Sequence, residues 1–150
     1  MGDAMTKKNI AVYLDFLPDP ASCDVAEDGY IISKRQVYGF NKTEIAALLA
    51  ALALAHELAA ETTIYSIGSE QPRALVARAL AVGLNNSLHI GNCTWQGNIP
   101  AAAKARAFCR NALPFDILLT ANSAFAAMIG EILDLPVATS VSKLDLQQDS

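Results

Sequence analysis

Three observations predict an α/β fold: one domain with a mostly parallel sheet and helices on both faces. Runs rich in Val, Ile, Leu and Thr alternate with runs rich in Ala and Leu from residue 9 to residue 141, the order that lays parallel strands between covering helices. The 150 residues are 53% hydrophobic and 17% charged, which supplies one core and leaves little room for two. The most apolar stretch, Ile45 to Ala55, halts at His56 and Glu57. That is short of the roughly 20 residues that cross a bilayer, so it reads as a buried helix.

Asn9 to Leu17 is apolar and β-prone and runs into Pro18-Asp19-Pro20, a stop, so it is the expected first and central strand. Ala21 to Phe40 is irregular, with Asp28-Gly29 as a turn before Tyr30-Ile31-Ile32-Ser33, which fits a small hairpin or loop excursion. Asn41-Lys42-Thr43-Glu44 has the form of a capping box, in which side chains at both ends satisfy orphan amides. The long helix it opens places Ile45, Leu48, Leu49, Leu52 and His56 near helical spacing, with alanines elsewhere for close packing on a sheet.

Thr62 to Ile67 is a β-branched strand ending at Gly68. Ser69-Glu70-Gln71-Pro72 then opens a helix through Leu75, Val76, Ala79 and Leu80, which Gly83 stops in a left-handed turn. Ser87 to Ile90 is a short strand, and Gly91 to Ile99 a polar loop holding Trp95. Asn98 and Pro100 open a helix from Ala101 to Ala112. Phe115 to Ala121 is the next strand, Ser123 to Leu133 a helix, and Val137 to Val141, after Pro136, the last strand. The domain is expected over residues 9–146, with 1–8 and 147–150 as flexible ends and Met1 to Ala4 as an added leader before Met5.

The net charge of −4 disfavours nucleic acid, since phosphate-backbone binding needs a basic excess. Asp15 interrupts the first apolar run, so no secretory signal is read. Cys23, Cys93 and Cys109 are odd in number and widely spaced, which points to reduced thiols in the cytoplasm and to no metal site. There is no Gly-x-Gly-x-x-Gly after the first strand, no phosphate loop and no nucleophile elbow. The reading is therefore not an enzyme, and no catalytic residue is named.

Some residues still stand where ligands bind in such folds, at the carboxyl ends of strands. Asp15 is a charge in a strand that should be buried, so it either lines a site or pairs, with Lys34 or Arg35 as candidates. Gly68 and Ser69 put free amides and a helix dipole at the crevice, a weak anion signal. His89 ends a strand, whereas His56 reads as a helix-face residue.

Several segments in order resemble the N-terminal domain of the electron-transfer flavoprotein β subunit. Ile10 to Pro20 resembles its first strand and the Pro-Asp-Pro that follows, and Glu44-Ile45-Ala46 its Ala- and Leu-rich helix. Ser66-Ile67-Gly68-Ser69-Glu70-Gln71, Arg78 to Gly83 and Leu88-His89-Ile90 resemble its Ser-x-Gly-Pro turn and the helix and strand beyond it. Asp116 to Leu119 and Ile132 to Lys143 resemble its last strand and Leu-Pro segment. The resemblance implies an adenine-nucleotide-binding-like α/β domain that pairs with an α subunit and relays electrons through FAD. The cofactors implied are FAD shared with that partner, or AMP. The candidate cofactor-binding residues, from the strand ends and from the short loop after the strand at 115–121, are Asp15, Ser66, Gly68, Ser69, Asn122 and Ser123.

The departures matter. Thr120 to Phe125 is shorter than the family's loop and lacks its acidic run and Asn-Gln-Thr-Gly motif, and Asp15 stands where the family has lysine; both weigh against a bound anion. Three readings follow. The first is a non-catalytic β-like protein working with a partner subunit. The second is a stand-alone module holding a small adenine nucleotide between the Gly68 amides and Asn122-Ser123. The third is a ligand-free homodimer formed through its alanine-rich helices or a sheet edge.

Overall fold

The computed structural model describes residues 7–18, 21, 24–30, 38–40, 42–68, 72–91 and 99–147. Its order is β1 (Asn9–Tyr13), β2 (Leu17–Pro18), β3 (Tyr38–Gly39), α1 (Lys42–Leu58), β4 (Glu61–Gly68), α2 (Arg73–Ala81), β5 (Asn86–Gly91), α3 (Ala101–Asn111), β6 (Ile117–Thr120) and α4 (Ser123–Leu133). One sheet of four parallel strands runs β5-β4-β1-β6. The chain steps outward from β1 to β5, then returns through α3 to lay β6 on the other side of β1. Right-handed crossovers in opposite directions put their helices on opposite faces.

The core follows that rule. Side chains alternate along a strand, so Ile10, Val12, Leu14 and Ile64 face α1 and α2, meeting Leu48, Ala51, Leu54 and Ala79. Ala11, Tyr13, Tyr65 and Ile90 face α3 and α4, meeting Ala105, Phe108, Phe125 and Ile129. On that second face Tyr13 stacks on Phe125 with centroids 3.8 Å apart, and Phe108 meets Phe125 and Tyr65 edge-on at 5.6 and 4.9 Å. Thr62, fully buried before Ile64, donates from its amide and hydroxyl to Asn85 Oδ1 at 2.9 Å, which fixes where the chain enters β5.

The Ala21 to Phe40 excursion is closed at its base by β2 pairing antiparallel with β3. Gly29, at φ 84°, supplies the expected turn, with its amide bonded to Ala26 O. Asn41, Ser69, Trp95, Asn98, Lys34, Arg35, Cys23 and Cys93 lie outside the described residues, as does most of the β-prone Tyr30 to Ser33 run. Helix α4 spans the same residues as read from the sequence.

Two expectations need correction. The first strand stops at Tyr13 rather than Leu17: Leu14 still donates to Tyr65 O, but Asp15 then turns to an ion pair with α3 and leaves the ladder. Val137 to Val141 forms no strand. Asp134 ends α4 in the left-handed conformation, Leu135 donates back to Gly130 O, and Val137 packs onto Gly130, where a Cβ would strike it. Ser140, at φ 56°, then breaks the extended run.

Candidate functional site

The strand order reverses between β1 and β6, so the crevice at their carboxyl ends is where a ligand would enter such a sheet. Asp15 follows β1 there, outside the strand in which the sequence had placed it, and Asn122 follows β6. The structure adds two residues the sequence reading missed. Lys104, from α3, places Nζ 2.6 Å from Asp15 Oδ1, and the Tyr13 hydroxyl donates to the same oxygen at 3.2 Å. Asn122 Nδ2 donates to Asp15 Oδ2 at 3.2 Å, while its Oδ1 accepts the Phe125 amide at 3.0 Å and so caps α4. The Asp15 carboxylate therefore accepts from three side chains, two of them neutral.

The pair is largely withdrawn from water, with side-chain exposures of 13% for Lys104 and 25% for Asp15. Charge balance makes this tolerable, since a lone carboxylate at such depth would be costly. The Tyr13 phenol is pushed well above its ordinary range, first by burial and then by the neighbouring charge and hydrogen bond of Asp15 and the charge of buried Glu44. Lys104 is the signal that could have found this partner. It sits one turn before Phe108 on α3, beside the stripe that enters the core.

A second group lies at the carboxyl ends of β4 and β5. Ser66 Oγ and His89 Nδ1 are 2.9 Å apart, and Gly68 pairs with Gly91 across the strands. Burial lowers the His89 pKa, and the Gly68 carbonyl opposes that shift. A Cβ on Gly91 would lie 3.1 Å from His89 Nε2, so glycine makes room for the ring. An open groove of about 540 Å³ adjoins this group between β5 and α3, lined in part by His89, Arg110 and Asn111. Ser123 begins α4 and is exposed. Of the six residues named from the sequence, Asp15 and Asn122 meet. Ser66 and Gly68 belong to the second group, with β1 between β4 and β6, and Ser69 is outside the described residues.

Among the described residues no three His, Cys, Asp or Glu side chains converge as metal ligands, and no helix is long and apolar enough to cross a membrane.

The family model of the electron transfer flavoprotein domain matches residues 28–150. The chain belongs to that family. No curated protein matches it. The electron transfer flavoprotein match begins after β1, so Asp15 and Tyr13 precede it, whereas Ser66, His89, Lys104 and Asn122 fall within it. Membership implies a role of the electron transfer flavoprotein kind, and such domains generally carry electrons rather than catalyse a reaction of their own. At the switch point of this electron transfer flavoprotein domain the donors do not fit a nucleotide phosphate. The Lys104 ammonium and the Asn122 amide are held by Asp15, the Phe125 amide is held by Asn122, and a carboxylate stands at the mouth.

Proposed function

We propose that this chain is a β-like member of the electron transfer flavoprotein family, non-catalytic, that supports flavin-based electron transfer in the cytoplasm beside an α-like partner subunit. The family match over 28–150 carries the proposal. The internally satisfied crevice favours a division of labour in which the partner holds most of the FAD and this chain supplies a rigid protein surface. The alternative of a stand-alone adenine-nucleotide module is disfavoured by the same crevice, because Asp15 would face the phosphate.

Absorbance and native mass of the purified chain, alone and co-expressed with an α-like electron transfer flavoprotein subunit, test this reading. A flavin spectrum and a reducible complex are expected only in the co-expressed sample. Stoichiometric FAD or AMP retained by the chain alone would overturn it.

A further inference from the structure

Helix α1 is apolar on its outer side as well as its inner one. Leu48, Ala51 and Leu54 pack against the sheet, and between Glu44 and His56 the helix carries no charge at all. Ile45 and Leu49 stand 44% and 59% exposed on the side away from the sheet, with exposed Ala46 and Ala53 next to them. By contrast, α2 exposes Arg73 and Arg78, and α3 exposes Arg106 and Arg110. A helix that is apolar all round is normally covered on every side, and the exposures of Ile45 and Leu49 leave the outer side of this one open to water.

That outer side has a shape that fits itself. At 3.6 residues per turn, Ile45, Leu49 and Leu52 form one ridge, and Ala46, Ala50 and Ala53 line a shallow groove beside it. A second α1 laid antiparallel sets its own ridge into this groove and receives the first ridge in return, and the alanines let the axes approach to about 8 Å. With the two-fold axis between Leu49 and Ala50, Ala46 meets the second copy's Ala53 and Lys42 meets the second copy's Glu57. Lys42 and Glu57 are exposed, sit at opposite ends of α1 and make no ion pair among the described residues. Antiparallel pairing therefore joins opposite charges at both ends, whereas parallel pairing would set like against like. A lipid surface suits this face less well, because helices that lie on membranes are flanked by several basic residues, while α1 has Lys42 alone in a chain of net charge −4.

We propose that the outer face of α1 is the contact between two copies of this chain, paired antiparallel about a two-fold axis between Leu49 and Ala50. The contact is isologous, so one sequence supplies both halves and the pair closes without a further exposed face. The helix is 17 residues long, about 25 Å, and two such faces bury on the order of 1,000 Å². That lies at the small end of specific interfaces, which sets the expectation of a dimer that dissociates on dilution. The contact uses no residue of the Asp15 crevice and does not rest on the flavin reading.

Sedimentation velocity and native mass spectrometry over a range of concentrations test the pairing. The 15.9 kDa mass should double as concentration rises. Leu49→Glu brings two carboxylates together at the axis and should raise the dimer Kd more than about 100-fold, while circular dichroism and the urea midpoint stay at the parent's values because the side chain is exposed. Lys42→Glu should weaken the dimer about tenfold at low salt, and adding Glu57→Lys should restore the parent's Kd by exchanging the signs of both pairs. A parent that is monomeric at every concentration overturns the proposal, as does doubling that survives Leu49→Glu. A charge exchange that fails to restore the Kd overturns the antiparallel geometry on which the proposal stands. A monomeric parent that binds an α-like subunit or anionic phospholipid vesicles, and loses that binding on Leu49→Glu, gives the face to that occupant and overturns it too.

Discussion

Lys104→Met tests whether the crevice is held by its ion pair. The substitution keeps most of the side-chain volume on α3 and removes the cation 2.6 Å from Asp15 Oδ1. Breaking a fully buried pair costs about 3–5 kcal/mol, because the surviving charge is stranded. Here Asp15 retains 25% side-chain exposure and two neutral donors, Tyr13 and Asn122, so about 2 kcal/mol is the expected loss. For a chain of this length that lowers Tm by about 4–8 °C. Urea unfolding followed by circular dichroism measures it, for Lys104→Met, Asp15→Asn and the double variant. The two single losses should not add: removing both charges leaves none stranded, and the coupling should be about 1–2 kcal/mol. A Lys104→Met variant within about 0.5 kcal/mol of the parent, or strictly additive singles, would refute the reasoning, since a screened surface pair behaves that way.

Asn122→Ala removes the cap on the Phe125 amide and one donor to Asp15, and should cost about 1–2 kcal/mol in the same urea assay, with helix α4 the first segment to lose hydrogen-exchange protection. His89 has its pKa lowered from the ordinary 6.5 by burial. The unfolded chain therefore binds the proton more readily, so this group's stabilising contribution is complete above pH 6.5 and falls as pH drops through the folded value. Comparing urea midpoints at pH 7.5 and 5.5, His89→Gln should lose less stability on acidification than the parent; equal losses would show that the ring does not titrate with folding.

Helix α4 was read to the residue, Ser123 to Leu133 ahead of Pro136, and the structure adds why its ends hold: the Asn122 cap and the left-handed Asp134. The parallel sheet and its two helical faces were legible from alternation alone, and Asp15 stood out as a charge near the end of the first strand, whereas Asn122 entered only with the adenine-nucleotide reading. The partner of Asp15 was not, because the reading sought a cation among near neighbours in sequence, at Lys34 and Arg35, whereas Lys104 is 89 residues away and arrives by a crossover. The Val137 to Val141 strand failed for a different reason. Its composition favours extension, but Val137 is seated on Gly130 of α4 and Ser140 takes a left-handed conformation, which interrupts the run. The resemblance to the electron-transfer flavoprotein family, read from loose motifs in order, was sound at the level of the family.

The position of β1 has a consequence for how the chain is made. Its neighbour β4 follows within the first half of the sequence, but β6 docks across 107 residues, where the Asn9 amide meets Asp116 Oδ2 at 2.7 Å. At a ribosomal pace of roughly 5–20 residues per second, that side of β1 waits about 5–20 s for its partner. Ile10 and Val12 are then already covered by α1, while Ala11 and Tyr13 still await α3 and α4. The nascent domain therefore passes through a half-layered state with one bare sheet face, and the last crossover, rather than any local helix, sets the pace at which it becomes safe from aggregation.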